Sequence, residues 1–224
     1  MNTDSGSAPP DTGTDFLYPF IDANETDAEA LLADLRNSAQ SKAAESVALR
    51  QASLQESAPL IETAAAEMAR RFAAGGRLFC FGNGGSSTDA STLAELFARP
   101  PSGRPLPAWS LTADEAVLTA LGNDVGFELV FARQLIARAR PGDIAIAMST
   151  SGNSADLVAG LTEAHRRGLY TIGFAGYDGG AFADHPDVDI CLVVRSQSVH
   201  RIQESQALLG YQLWASVQAH EALQ

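Results

Sequence analysis

Ile144-Ala145-Ile146-Ala147-Met148-Ser149-Thr150-Ser151-Gly152-Asn153-Ser154 is the stretch that decides the fold. Its apolar first half reads as a buried strand, and its second half is built of small, hydroxyl-bearing and turn-forming residues. Ala155-Asp156-Leu157-Val158-Ala159-Gly160-Leu161 then continues with helical character. A strand that breaks into such a loop and opens a helix is a phosphate cradle. The first N–H groups of the helix have no partner within it, its positive end points the same way, and the hydroxyls add donors. Roughly three or four hydrogen bonds to a dianion, each worth about 1.5–3 kcal/mol, would hold a small phosphorylated metabolite after the cost of association. Taken alone, such a loop is better read as Ser154 capping a helix with the remainder solvated.

A second loop of the same kind favours the cradle. Gly82-Asn83-Gly84-Gly85-Ser86 follows the strand-like Arg77-Leu78-Phe79-Cys80-Phe81. Its glycines permit φ > 0 and a close approach of ligand to backbone, and Ser86 or Ser87 is placed to cap a helix starting near Thr88. In a parallel sheet both loops emerge at the carboxyl ends of strands, where open α/β folds bind ligands.

Composition narrows the classes. The chain of 224 residues is long enough for a substantial core, and 46% of it is hydrophobic. A net charge of −12 argues against non-specific nucleic-acid or anionic-membrane binding. No apolar run approaches the ~20 residues that span a bilayer, and the first residues show no signal-peptide pattern, so the expected location is cytoplasmic. Cys80 and Cys191 fall in apolar strand segments and read as buried hydrophobes rather than a disulfide.

Residues 1–25 read as a partly disordered N-terminal extension, Ser/Gly/Pro/Asp-rich to about Thr14. Phe16, Leu17, Tyr18, Phe20 and Ile21 are too apolar for a free tail and are expected to dock. Residues 26–224 read as a single domain. Two helices open it, Asp27–Ser57 with an apolar stripe of Leu31, Leu32, Leu35, Ala39, Ala43, Val47 and Leu54, and Pro59–Ala74 ending at Gly75-Gly76. Strands are predicted at 77–81, 107–111, 143–148, 170–175 and 189–194. Helices intervene at 88–98, 113–121, 127–138 and 154–167, and a last one covers 202–222. This alternation implies α/β architecture: a three-layer sandwich with a five-stranded, flavodoxin-like parallel sheet and an N-terminal helical pair.

Four segments, Gly82-Asn83-Gly84-Gly85-Ser86, Val117 to Asp124, Ser149 to Ser154 and Arg201-Ile202-Gln203-Glu204, occur in an order that resembles the phosphoheptose isomerase and DiaA-like branch of the SIS (sugar isomerase) domain family. Asp178-Gly179-Gly180 also fits. The resemblance runs from about Leu31 to Ala222 and implies a homotetramer that binds a phosphorylated sugar, such as sedoheptulose 7-phosphate, between subunits. It implies that Ser149, Thr150, Ser151 and Ser154 hold the phosphate. Asn83, Gly84, Gly85, Ser86, Asn123, Asp124 and Gln203 would contact the sugar. In several members the residue matching Gln203 also touches zinc.

The catalytic positions depart from the pattern. Moving a proton between C1 and C2 through an enediol requires a carboxylate or imidazole near both carbons. Where the family has a histidine, a glutamate and a second histidine, this chain has Thr92, Leu96 and Tyr211. Glu95 would serve only if its helix had lost one residue. Ala90, Leu93, Ala94 and Phe97 form an i, i+3, i+4, i+7 apolar face, a phase that keeps Leu96 at the catalytic position and rotates Glu95 by about 100°. Of the histidines, His165, His185 and His220 read as solvated side chains. Only His200, beside Arg201, falls near the site.

The expectation is therefore a phosphosugar-binding protein with impaired or absent isomerase chemistry, no cofactor, no bound metal, and a ligand-binding or regulatory role that could involve a protein partner. An active isomerase using Glu95, His200, Tyr211 or Asp124 is the alternative. A scaffold with a vestigial pocket is disfavoured by the two intact loops.

Overall fold

The structure, a computed structural model, describes residues 28–221. The aromatic cluster from Phe16 to Ile21 lies outside them. By contacts the chain divides into residues 1–45 and residues 46–224. The described part of the first unit is helical and mostly exposed, including Leu32 and Leu35.

The second unit is built on five parallel strands, β1 (Leu78–Gly82), β2 (Ala108–Ser110), β3 (Ile144–Met148), β4 (Tyr170–Gly176) and β5 (Ile190–Val194), in the order β2-β1-β3-β4-β5. The helices are α1 (Ala28–Ala73), α2 (Gly85–Ala98), α3 (Glu115–Asp124), α4 (Val130–Arg138), α5 (Ala155–Arg166), α6 (Gly180–Asp184) and α7 (Val199–Glu221). Alternation along β1 sends Leu78 and Cys80 to one face and Phe79 and Phe81 to the other. On the first face they join Ile61, Met68, Leu93, Phe97, Leu209 and Leu213 from α1, α2 and α7. On the second they join Phe131, Leu135, Leu157 and Leu161 from α4 and α5. The three layers expected from the alternation are present, with each strand within two residues of its predicted bounds.

The first helices differ from expectation. A break was predicted before Pro59, yet α1 runs from Ala28 to Ala73 with Pro59 inside it. An interior proline costs a helix about 3 kcal/mol. Here the buried row Ser53, Ser57, Ile61, Ala64, Ala65 and Met68 passes straight through the site, and continuous burial outweighs the local penalty. Thr63 Oγ1 also donates to the Pro59 carbonyl at 3.0 Å. The short α6 went unpredicted.

One polar group ties the amino end of the sheet together. The Asp143 carboxylate is almost fully buried. It accepts from the Arg77 N–H at 2.9 Å, the Arg77 Nη2 at 2.7 Å and the Arg140 N–H at 2.8 Å. Removing it strands a guanidinium and two backbone donors. Asp143→Ala is expected to destabilise the protein by about 3 kcal/mol, read as a lower urea midpoint with an unchanged slope.

Candidate functional site

The site begins with strand register. β1 pairs with β3 so that Gly82 lies opposite Met148, and the two glycine- and serine-rich loops leave adjacent strand ends. In the order 2-1-3-4-5 this is the switch point, where successive connections diverge to opposite faces and open a crevice.

Neither helix that starts there is capped by a side chain. The N-cap of α2 is Gly84, at φ +53, and that of α5 is Ser154; neither makes a side-chain cap bond. Helix α2 begins at Gly85, three residues before the predicted Thr88, so Ser86 and Ser87 sit in its first turn instead of capping it. Glycine at 84 allows this early start because the backbone there enters the left-handed region. Two open helix starts side by side concentrate unpaired N–H donors and positive potential on one crevice.

The loop after β3 is shaped by its own side chains. Ser149 Oγ accepts from the N–H groups of Gly152 and Ser151, at 3.0 and 3.3 Å, and Ser151 Oγ accepts from the Asn153 N–H at 3.2 Å. Ser149 thus builds the turn. Asn153 Oδ1 accepts from the Ala181 N–H at the start of α6, and Gln206 Nε2 of α7 donates to the Ser149 carbonyl at 2.7 Å. Gly152, at φ +68, lies so close to Gly179 that a Cβ would strike its carbonyl.

Asn83 and Asp156 join the two loops. Asn83 Nδ2 donates to both oxygens of the buried Asp156, at 2.8 and 3.1 Å. The Asn83 amide N–H donors are therefore committed to the protein, and only the carbonyl end is left to face a ligand. Asp156 had no assigned role in the sequence reading, because an acidic residue in a first helical turn ordinarily signals only dipole matching.

Beside the loops is a cleft of about 450 Å³ lined by Gly85, Thr88, Asp89, His200, Gln203, Glu204 and Ala207. It brings together three predicted residues, Gly85, His200 and Gln203. Gly85 lets Gln203 come close: a Cβ there would meet Gln203 Nε2 unless that side chain swung away. Asp89 was missed; it stands one helical turn after Gly85, and that spacing is the signal that could have found it. Its Oδ2 is buried without a hydrogen-bond partner, and burial pushes its carboxyl above the usual carboxylate range. Glu204 pairs with Arg50 at 2.7 Å.

Other predicted residues stand apart from this cleft. Asn123 and Asp124 were expected in a loop but form the last turn of α3, which Gly126, at φ +115, follows. Asn123 Nδ2 donates to Asp124 Oδ1. Glu95 forms an ion pair with Arg99 and lines a different groove, beside β2. Tyr211 is 52% exposed and packs on Trp214. Thr92 Oγ1 donates to the Thr88 carbonyl at 2.9 Å, and Leu96 rests half-buried on the core. A zinc ion does not fit this donor set: an alkyl group, an already engaged hydroxyl, an exposed phenol and one amide lack the imidazole and carboxylate ligands it requires.

Uncapped helix starts at the switch point of a parallel sheet are the arrangement by which open α/β folds receive anions. Residues 43–176 match the SIS domain family. The chain is 44% identical over 163 residues to a phosphoheptose isomerase from Roseiflexus sp. (strain RS-1), covering 71% of this chain and 81% of the relative. Among solved structures, the phosphoheptose isomerase of Neisseria gonorrhoeae superposes with a TM-score of 0.77 at 34% identity, over 83% of this chain and 99% of that one. That of Francisella tularensis gives 0.77 at 30% identity, over 82% and 97%. The chain belongs to the SIS-domain proteins, in the phosphoheptose isomerase family.

The Asp89 carboxyl supplies a pH test. A folded pKa above the unfolded value means that the native state binds the proton more tightly. Stability then falls as pH rises from about 3.9, the unfolded value, through the raised folded value, and is level above it. Asp89→Asn is expected to remove that slope and to leave the protein more stable than the parent at pH 7. Urea melts at pH 4 and pH 7 check this; a variant less stable at both would show that the charged form is favoured in the fold.

Proposed function

We propose that the chain is a phosphosugar-binding protein with little or no isomerase chemistry, whose ligand resembles sedoheptulose 7-phosphate. The phosphate sits on the Ser151 and Ser154 hydroxyls and the first N–H groups of α5, and the sugar extends toward Gly85 and Gln203. One observation carries the loss of chemistry. The buried residues of α2 are Ser86, Ala90, Leu93, Ala94 and Phe97, the apolar face that an undeleted helix requires. That phase supports Leu96 as the residue at the family's glutamate position and Glu95 as a surface partner of Arg99.

Asp89 favours the alternative, an aldose–ketose isomerase with a different base. It offers a carboxyl of raised pKa in a cleft that His200 also lines, an environment suited to general acid–base work. Turnover separates the two readings. Sedoheptulose 7-phosphate is expected to bind by calorimetry, with Ser151→Ala/Ser154→Ala weakening it by about tenfold or more. Its isomerisation is expected to stay near background with or without zinc. A kcat on the order of 1 s⁻¹ or faster, abolished by Asp89→Asn, would install the isomerase reading instead.

The same proposal includes a homotetramer. Leu32, Leu35, Val47 and Leu60 on α1 and Tyr211 on α7 are exposed large hydrophobics, and burying such surface between copies is the ordinary remedy. Light scattering at micromolar concentration is expected to give four times the chain mass; a monomer rejects the assembly.

A further inference from the structure

Positive charge gathers at the amino ends of β1 and β3, away from the phosphate loops. Arg70, Arg71, Arg77, Arg138 and Arg140 line two clefts of about 260 and 400 Å³ that share Arg77 and Arg140. In a chain of net charge −12 this runs against the overall balance. Glu67 takes Arg70 and Arg71, and Asp143 takes Arg77. Arg138 and Arg140 form no ion pair among the described residues. A structural role accounts for part of the cluster: Arg77 bonds the Arg138 carbonyl at 2.7 Å, and Arg138 complements the end of α4. It does not account for Arg140 or for the aromatic floor beside it.

That floor belongs to the larger cleft. Phe79 and Trp109 stack with centroids 6.0 Å apart, and the Arg77 guanidinium lies 5.4 Å from the centre of the Phe79 ring. Trp109, on the edge strand β2, remains 46% exposed. An open indole beside two un-neutralised guanidiniums suits a planar ring that carries a phosphate. We propose that this cleft binds a nucleoside phosphate, with its base on Trp109 and its phosphate oxygens on Arg138 and Arg140. Indole faces stack on any base, and guanidinium forks match phosphate oxygens in pairs. A dianionic phosphate equals the charge of the two free arginines. The volume falls within the range of small-molecule sites, and the acidic remainder of the chain disfavours an extended nucleic acid. This site is independent of the phosphosugar site.

ADP titrated into the full chain provides the test, followed by tryptophan fluorescence and calorimetry. The chain has two tryptophans and Trp214 is buried, so stacking on Trp109 reports directly. ADP is expected to quench saturably with a Kd below about 1 mM, with adenosine and pyrophosphate each about tenfold weaker or worse. Arg138→Ala/Arg140→Ala is expected to cost about tenfold or more in affinity, and Trp109→Ala a similar loss that Trp109→Phe largely spares. Ser151→Ala/Ser154→Ala is expected to leave ADP binding unchanged, which separates this cleft from the phosphate loops. Circular dichroism confirms that each variant is folded. The proposal is overturned by any of four results: no saturable ADP binding, affinity indifferent to the arginine pair, pyrophosphate matching ADP, or ADP binding lost in the serine variant. A single-stranded oligonucleotide binding more tightly than ADP would overturn it in favour of nucleic acid.

Discussion

Everything at the ligand end of this molecule depends on backbone meeting backbone at the carboxyl edge of the sheet. Gly152 lies against the Gly179 carbonyl and Gly180 against the Ser151 carbonyl and the Asn153 side chain, all without room for a Cβ. Gly176 N donates to the Thr150 carbonyl at 3.0 Å. With no side chains between them, the loops after β3 and β4 brace one another. Ser149, held by Gln206 from α7, then winds the turn that opens α5. Ser149 and Ser151 shape the loop, and Ser154 at the N-cap makes no side-chain cap bond, so the first N–H groups of that helix stay open. An open helix start costs stability in isolation, and a bound anion offsets that cost.

Helix α2 couples this anion end to the question of chemistry. Its amino end contributes Gly85 and Ser86 to the crevice, while the core fixes its rotation through Ala90, Leu93, Ala94 and Phe97. Rotating the helix by one residue to bring Glu95 inward would pull that face out of the core. Those side chains are nearly fully buried, and exposing even one of the larger ones costs about 1.5–3 kcal/mol. Packing in the interior thus decides which side chain reaches a substrate, and a single acidic residue one position away is no substitute. The same helix places Asp89 at the cleft, about two turns before Leu96, where the family pattern directs attention.

Charge is divided along the strand direction. The carboxyl ends of the strands present uncapped helix starts and hydroxyls, where the potential is positive through backbone dipoles. The amino ends present guanidiniums, with Asp143 neutralising Arg77 and Glu67 held to about pKa 2, chiefly by its hydrogen bond with Arg70. One edge offers backbone geometry and the other formal charge.

The amino-acid sequence by itself determined the layer order, the five strands and the location of both loops. Those features rest on local patterns: apolar runs of strand length, glycines where the backbone needs left-handed φ, and an apolar face repeating every third and fourth residue along α2. What it did not determine was every outcome set by distant partners. Pro59 continues a helix because a buried row on α1 spans it. Asn83 is held by Asp156, 73 positions away. Asn123 and Asp124 close a helix rather than form a loop. Asp89 Oδ2 is buried without a hydrogen-bond partner in a cleft that α7 helps to line, and Arg138 and Arg140 share a cleft with Trp109 because the strand order sets β2 beside β1. Such juxtapositions leave no local signature, since the free energies that create them belong to contacts between residues far apart in the chain.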